Sequence, residues 1–265
     1  MLITHTLFGV VDKVAESIQL LREHEPPEGY FVCFSGGKDS VCMYDIVRRS
    51  GVKYDAHFSI TGVEPTGLIR FVRINYPDVQ LSYPSMNMFQ LIVKNKIPPL
   101  RQMRYCCRVL KERAGGSRIK VTGIRSEESP RRAKRPAVDI DPKNPSTGFI
   151  HVIKDWTLPD VWGYIHENKL PYFKLYDEGF NRVGCVLCPY ESPDVTLKCL
   201  IRFPHIANYY RQACRKSFEV NPDLSKRWSS GDDMFNWWVS SRKRHSIAQD
   251  CKSIPLFSED DGSIL

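Results

Sequence analysis

Six residues, Ser35-Gly36-Gly37-Lys38-Asp39-Ser40, constrain this chain more than any other stretch. They follow the apolar run Tyr30-Phe31-Val32-Cys33-Phe34 and precede Val41-Cys42-Met43-Tyr44-Asp45-Ile46-Val47. Strand, glycine-rich turn and helix start therefore fall in the order that a phosphate site requires. Two glycines let the backbone bend with its N–H groups turned inward, and the helix dipole adds partial positive charge there. Lys38 brings a full mobile charge, and the Ser35 and Ser40 hydroxyls can donate to phosphate oxygens. The spacing does not fit the Walker loop, which needs four residues between its first glycine and its Gly-Lys pair. A plain tight turn capped by Asp39 or Ser40 would have no use for Gly-Gly-Lys.

Strand patterns recur near Phe31–Phe34, Tyr54–Ile60, Val79–Ser82 and Arg118–Thr122, with helical patterns between them. That alternation predicts βαβ units and a parallel sheet. Ligands in such sheets bind beyond the strand C-terminal ends, where turns at Ser35, Thr61 and Gly123 are expected to converge. Leu7, Val10, Val11, Val14, Ile18 and Leu21 sit at helical spacing and predict an amphipathic helix before the first strand. Ser129 to Gly148, with its prolines and glycine, reads as a long mobile loop or lid. From about Pro189 the pattern turns helical, aromatic and basic. We divide the chain into an α/β nucleotide-binding domain with a cysteine site, residues 1–190, and a helical C-terminal extension, residues 191–265.

No apolar run approaches the length of a membrane span. Met1 to Val14 carries neither a basic start nor a small-residue cleavage site, so the expectation is a reducing cytoplasm. Nine cysteines there read as metal ligands, reactive thiols or core residues rather than a disulfide frame. The net charge of +8 calls for an anionic partner, and a nucleotide or a nucleic acid would each satisfy it. Arg131, Arg132, Lys134 and Arg135 form one basic cluster, and Arg242, Lys243 and Arg244 another in the C-terminal region; a solvated surface is the simpler account of both.

Cys106 and Cys107 are adjacent, and Cys185 and Cys188 form a Cys-x-x-Cys. Two such pairs suffice for a tetrahedral zinc or a 4Fe-4S cube. Adjacent cysteines close only a very small ring around one zinc, whereas in a cube each thiolate takes a different iron. The spacing leans to the cube. Cys33, Cys42, Cys199 and Cys214 are expected to pack as small core residues.

Ser-Gly-Gly-Lys-Asp-Ser resembles the PP-loop of the N-type ATP pyrophosphatases. Thr61-Gly62-Val63-Glu64-Pro65-Thr66 is similar to the Thr-Gly-x-x-Phe-Pro-Glu-Thr turn of phosphoadenosine phosphosulfate (PAPS) and adenosine phosphosulfate (APS) reductases, two residues shorter. Gly123-Ile124-Arg125-Ser126-Glu127-Glu128-Ser129 resembles their Gly-Ile-Arg-x-x-x-Ser, and Asp155-Trp156-Thr157 with Asp160-Val161-Trp162-Gly163-Tyr164-Ile165 resembles a further segment of theirs. The resemblance spans roughly residues 30–190. It implies a Rossmann-like (adenine nucleotide alpha hydrolase-like) parallel sheet with helices on both faces. It implies a 4Fe-4S cluster, because Cys-Cys followed later by Cys-x-x-Cys is the cluster pattern of APS reductases. It implies that Lys111, four residues beyond Cys107, stands between cluster and substrate. The nucleotide site carried over comprises Ser35, Gly36, Gly37, Lys38, Asp39, Ser40, Thr61, Gly62, Glu64, Gly123 and Arg125, with Lys38, Lys111 and Arg125 as the catalytic residues.

The residues themselves leave several roles open. Arg125 suits phosphate or sulfate, or a salt bridge to Glu127 or Glu128. Asp39 orients Lys38, or a magnesium ion if ATP is the substrate. Glu64, placed at the opening of the next helix, contacts a ribose or favours the helix N-terminus. Asp155 reads as the N-cap of the following helix, and Trp156 and Trp162 as an aromatic core pair.

Two departures from the family pattern matter. The C-terminal Glu-Cys-Gly-x-His segment of those reductases is absent, and the last cysteine, Cys251, has a different setting. The PP-loop is complete, whereas in those reductases it is usually degenerate. Cleaving ATP between its first two phosphates releases pyrophosphate, whose charge Lys38 would neutralise. A sulfonucleotide releases none. The expectation is therefore ATP cleavage to AMP and pyrophosphate for sulfur chemistry. The alternatives are an APS or PAPS reductase fed by a donor such as thioredoxin or ferredoxin, and a non-enzymatic nucleotide or redox sensor.

Overall fold

The computed structural model describes residues 2–6, 9–112, 114–142 and 144–240. In chain order the elements are β1 (Ile3–Thr6), β2 (Gly9–Asp12), α1 (Lys13–Glu23), β3 (Tyr30–Phe34), α2 (Lys38–Ser50), β4 (Tyr54–Ser59), α3 (Leu68–Asn75), β5 (Gln80–Ser82), α4 (Met88–Asn95), α5 (Tyr105–Cys107), β6 (Ile119–Thr122), α6 (Pro130–Ala133), β7 (Val138–Asp141), β8 (Asn144–His151), α7 (Leu158–Glu167), α8 (Pro193–Arg202), α9 (Pro204–Val220) and α10 (Gly231–Ser240). Among the described residues no helix is long and apolar enough to cross a membrane.

Six strands form one sheet in the order β5-β4-β3-β6-β8-β7, parallel except for β7. The chain moves outward from β3 through β4 to β5, then returns to the other flank of β3 with β6. That reversal opens a crevice at the carboxyl end of β3, and Ser35–Ser40 and Gly123–Arg125 leave the sheet at its two lips. This is the Rossmann-like α/β architecture that the strand-helix alternation predicts.

Local chemistry explains two departures from expectation. The amphipathic helix does not begin before Lys13, because Asp12 accepts from the Val14 and Ala15 amides at 2.9 and 3.1 Å and caps it there. Val10 and Val11 lie instead in β2, antiparallel to β1. Nor is Ser129–Gly148 an irregular loop. Ser129 caps the single turn α6, and β7 and β8 form an antiparallel pair that extends the sheet. Pro145 does not forbid this, since β6 pairs with β8 only from Gly148 onward. A Cβ at Gly148 would lie 2.5 Å from the Asp139 carbonyl oxygen, so a glycine there permits close strand approach.

The chain divides into two compact units. The first holds the sheet, with residues up to Ile60, Gly67–Tyr83 and Arg113–Gly184. Its core sets Val32 and Phe34 of β3 with Tyr44, Ile46 and Val47 of α2 and Tyr164 of α7, all nearly fully buried. The Tyr164 hydroxyl donates to Asp45 at 2.6 Å and accepts from Arg49 at 2.8 Å, tying α7 to α2. The second unit holds Thr61–Thr66, Pro84–Glu112 and the chain from Cys185 onward. There α9 packs on α4, α8 and α10. Trp238 is fully buried and donates its indole N–H to the Pro99 carbonyl at 2.8 Å, and Ser217 donates to the Lys96 carbonyl at 2.7 Å.

Candidate functional site

The glycine-rich turn is held open from within. Gly36 adopts φ +70°, a left-handed conformation, and a Cβ there would lie 2.9 Å from the Leu68 side chain. Ser40, in the first turn of α2, accepts from the Ser35 amide at 3.2 Å and the Ser35 hydroxyl at 3.0 Å, and donates to the Gly37 carbonyl at 2.8 Å. Its hydroxyl thus staples the loop. Gly37 is the N-cap of α2 and offers no side chain to cap the helix amides.

Lys38 is the first residue of α2 and only 6% exposed, not a free loop lysine. Its ammonium meets Asp39 at 3.0 Å and the Asn181 carbonyl at 3.4 Å, and stands 5.6 Å from the centre of the Tyr176 ring. Arg125, 4% exposed, grips the other Asp39 oxygen at 2.6 Å through Nε. Its Nη1 reaches Glu127 at 2.7 Å and the Trp156 carbonyl at 3.3 Å. Glu127 also accepts the Leu158 amide at 2.7 Å, and the Arg125 hydrogen bond leads the causes that hold its carboxyl below the usual range. Gly123 makes this junction possible, because a Cβ there would lie 2.8 Å from the Asp39 carbonyl oxygen. The structure therefore gathers Ser35, Gly36, Gly37, Lys38, Asp39, Ser40, Gly123 and Arg125 in the first unit, with two cations sharing one carboxylate.

Thr61, Gly62 and Glu64 belong to the second unit, with the cysteines. Glu64 does not open a helix; α3 starts at Leu68. It folds back, one carboxylate oxygen accepting from the Thr61 amide and from the Thr61 hydroxyl at 2.7 Å, the other from the Gly62 amide at 3.0 Å. The Thr61 hydroxyl stands 3.5 Å from the Cys185 sulfur, and the Val63 carbonyl accepts from the Val186 amide at 2.8 Å. This turn braces the Cys-x-x-Cys loop. Within that loop Leu187 takes a left-handed φ of +56°.

Cys106 is buried and Cys107 half-buried on α5, which runs into a π-helical turn at Arg108–Glu112. The wider turn carries Lys111, whose ammonium hydrogen-bonds the Cys185 thiol. The charge of Cys185 is the largest cause raising the Lys111 pKa, with Cys107 and Cys188 adding to it, although the side chain itself is open to solvent. Cys106 hydrogen-bonds Cys107, which pushes the Cys106 thiol up and pulls Cys107 down, with help from Arg104 and Lys111. Cys106 also feels the charges of Cys185 and Cys188. Four thiols thus lie within electrostatic reach of one another. Among the described residues no three His, Cys, Asp or Glu side chains gather around a single ion position.

Several remaining expectations land elsewhere. Asp155 is exposed and does not cap α7; Thr157 does, accepting from the Asp160 amide while Asp160 returns a bond to the Thr157 amide. Trp156 is buried against Tyr164, but Trp162 is only half-buried and meets His166, Tyr172 and Tyr176, so the two tryptophans are not a pair. Cys42, Cys199 and Cys214 are buried, and burial lifts the half-buried Cys33 thiol to about 11. In the α6 region Arg132 pairs with Glu128, while Arg131 and Lys134 face solvent. Cys251 and Arg242–Arg244 lie outside the described residues. Tyr176, Asn181 and Arg104 were not singled out by the sequence; each is one ordinary residue of its type with no motif to mark it.

The model of the phosphoadenosine phosphosulfate reductase domain matches residues 29–191 of this chain. An adenosine 5'-phosphosulfate reductase of Lysinibacillus sphaericus is 35% identical over 201 residues, which cover 68% of this chain and 83% of that protein. Adenosine 5'-phosphosulfate reductase 2 of Bacillus subtilis is 28% identical over 202 residues, covering 70% of this chain and 84% of the relative. Among solved structures, a phosphoadenylyl-sulfate reductase of Candida auris in complex with phosphate aligns with a TM-score of 0.49 and 19% identity, over 64% of this chain and 88% of that one.

Proposed function

This chain belongs to the phosphoadenosine phosphosulfate reductase domain family and is an enzyme of the PP-loop and phosphosulfate reductase type, and we propose that its own reaction is ATP cleavage for sulfur chemistry. In this reading an acceptor oxygen attacks the first phosphorus of ATP, the bond to the second phosphate breaks, and pyrophosphate leaves from an adenylated acceptor. The observation that carries it is Lys38, a buried ammonium at the N-terminus of α2, where the helix dipole adds partial positive charge. Charge that develops on departing pyrophosphate is what such a group stabilises. Arg125 fixes the Asp39 carboxylate that aims Lys38, and so acts on the loop through Asp39. Asp39 already serves two cations, so a magnesium ion would draw most of its oxygens from the phosphates and water.

Cys106, Cys107, Cys185 and Cys188 would hold a 4Fe-4S cluster. The donor set supports this: four thiols within electrostatic reach of one another, two of them on adjacent residues, suit a cube better than one zinc. Such a cluster would supply a redox-active, charged centre beside Lys111. The Lys111 ammonium then balances thiolate charge at Cys185, Cys107 and Cys188.

One observation favours a second reading. The relatives named above are adenosine 5'-phosphosulfate reductases, and the chain covers most of their length. In that reading the thiol of Cys251 or of an external donor such as thioredoxin attacks the sulfur of a sulfonucleotide, the nucleoside phosphate leaves, and a second thiol displaces sulfite from the thiosulfonate as the two thiols become a disulfide. Anaerobically purified protein incubated separately with ATP, APS and PAPS separates the two. Pyrophosphate and AMP from ATP support the first reading; sulfite from APS or PAPS, with ATP untouched, overturns it in favour of the second.

A further inference from the structure

Tyr176 sits in a short 3-10 turn at Lys174–Tyr176, far in sequence from the glycine-rich loop, yet its hydroxyl oxygen is 2.8 Å from the Lys38 amide nitrogen. The Lys38 N–H is one of the orphan donors at the start of α2, and Gly37 provides no side chain to satisfy it. Gly37 makes room for the Tyr176 phenol, since a Cβ there would lie 3.3 Å from the hydroxyl and 3.5 Å from Ser35 Oγ. The ring is braced by Trp162, edge-on at 5.2 Å, and by Tyr172 at 6.4 Å, and Lys38 Nζ lies over its face.

A phenol offers two acceptor directions and one donor. Here the Lys38 amide takes one acceptor direction at 2.8 Å, and the O–H proton is left to be given. Burial keeps that proton on the oxygen far above neutral pH. A phosphate or sulfate oxygen accepts and cannot donate, so it is the complement of what Tyr176 has left to offer. We propose that Tyr176 is a nucleotide-binding residue whose hydroxyl, held by the main-chain hydrogen bond from Lys38, donates to an oxygen of the phosphate or phosphosulfate chain seated on the Ser35–Ser40 loop. The second glycine of the loop and this tyrosine then form one device: the glycine leaves space, and the tyrosine fills it with a fixed donor. The proposal rests on the nucleotide reading above, but it holds for ATP and for a sulfonucleotide alike.

Calorimetric binding of ATP, APS, PAPS, inorganic pyrophosphate and adenosine to wild type and to Tyr176→Phe tests it, with melting temperatures of both. Phenylalanine keeps the ring on Trp162 and under Lys38 and removes only the hydroxyl. The expected result is about tenfold weaker binding of every phosphate-bearing ligand that wild type binds, the equivalent of one charge-assisted hydrogen bond, with adenosine unaffected. Tyr176→His, which can donate through a ring N–H, should recover part of the loss and serves also if the phenylalanine variant folds poorly. Equal binding by wild type and Tyr176→Phe overturns the proposal. Tighter binding by the variant overturns it too, because the hydroxyl would then be competing for the Lys38 amide. A wild type that binds none of the phosphate-bearing ligands overturns the nucleotide reading itself and takes this proposal with it.

Discussion

The glycine-rich loop and the cysteine site solve the problem of concentrated charge in opposite ways. In the loop, Lys38, Asp39, Arg125 and Glu127 form an unbroken chain of ion pairs at 3.0, 2.6 and 2.7 Å, so its cations are aimed before any ligand arrives. At the cysteines the balance is unfinished. Cys106 and Cys107 share a hydrogen bond, Cys185 and Cys188 act on Cys106 through their charge, and the set draws on Lys111 and Arg104 for compensation. A closed network is preorganised for a transient anion, whereas an open thiol set is organised for something that stays bound and completes it. The loop's electrostatics are therefore its own, and those of the cysteine site depend on its occupant.

The strongest way to break this contrast is to ask what the cysteine site holds. Protein made without oxygen should be brown, with broad visible absorption and iron and acid-labile sulfide in equal amounts. Cys106→Ser or Cys188→Ser should lose the colour and nearly all the iron. One zinc per chain with no iron would end the cluster reading and leave the thiols as a structural metal site.

Next in size is Lys38→Ala. If the ammonium stabilises charge on departing phosphate, turnover should fall on the order of 10²- to 10³-fold. Because Lys38 is buried rather than loose, its loss also leaves Asp39 with Arg125 alone, so a modest fall in melting temperature should accompany the kinetic effect. Turnover within a factor of two of wild type would remove Lys38 from the chemistry. Iron content is the control, and it should not change.

A smaller effect isolates the junction that closes the ion-pair chain. In Gly123→Ala the new methyl would press on the Asp39 backbone at 2.8 Å. Overpacking of this kind costs about 1–3 kcal/mol, and it should weaken nucleotide binding while iron per chain stays at the wild-type value. An unchanged melting curve together with unchanged nucleotide affinity would show that the lip of the crevice can yield, and that Arg125 does not depend on so tight an approach.

How far each region was legible in the sequence follows from the same contrast. Ser35–Ser40 is contiguous, and the physics of glycine, helix dipole and lysine acts within six residues, so the loop could be read directly. The cysteine pairs could be read as candidate ligands because thiols have few other uses at such spacings. The Thr61 turn was less legible: resemblance gave it to the nucleotide, and only the fold shows Glu64 folded back on Thr61 and Thr61 against Cys185. Tyr176 could not have been found, since its partner at Lys38 is 138 residues away. The amphipathic helix expected before β3 is present as α1, and only its start differs, for a local reason. Apolar residues in β2 happened to match helical spacing, and the stop signal was the single carboxylate of Asp12.

The smallest effect concerns the start of α7, where sequence and structure name different caps. Asp155 was the expected cap, but it is exposed and touches only Lys154 at 3.5 Å and Ser126 at 3.4 Å through its carboxylate. Thr157 accepts from the Asp160 amide at 3.3 Å, and Asp160 answers at 2.8 Å, a reciprocal box that satisfies two orphan N–H groups. Asp160 also pairs with Lys13 at 2.5 Å. Burial opposes its charged form, yet the bonds from Lys13 and Thr157 outweigh that and hold its pKa well below the usual carboxylate range. A depressed folded pKa means stability that is present above the unfolded value and lost as pH falls. Thr157→Ala should therefore cost about 1 kcal/mol by denaturant titration at neutral pH, while Asp155→Ala should stay within about 0.5 kcal/mol of wild type. Asp160→Asn should cost more than either at neutral pH, and its deficit should shrink on acidification below pH ~4, where Asp160 of the unfolded wild type takes up a proton that the folded state still excludes. A larger loss from Asp155→Ala than from Thr157→Ala would return the cap to Asp155. A deficit in Asp160→Asn that is flat with pH would show that the pair with Lys13 contributes nothing to holding α1 on α7.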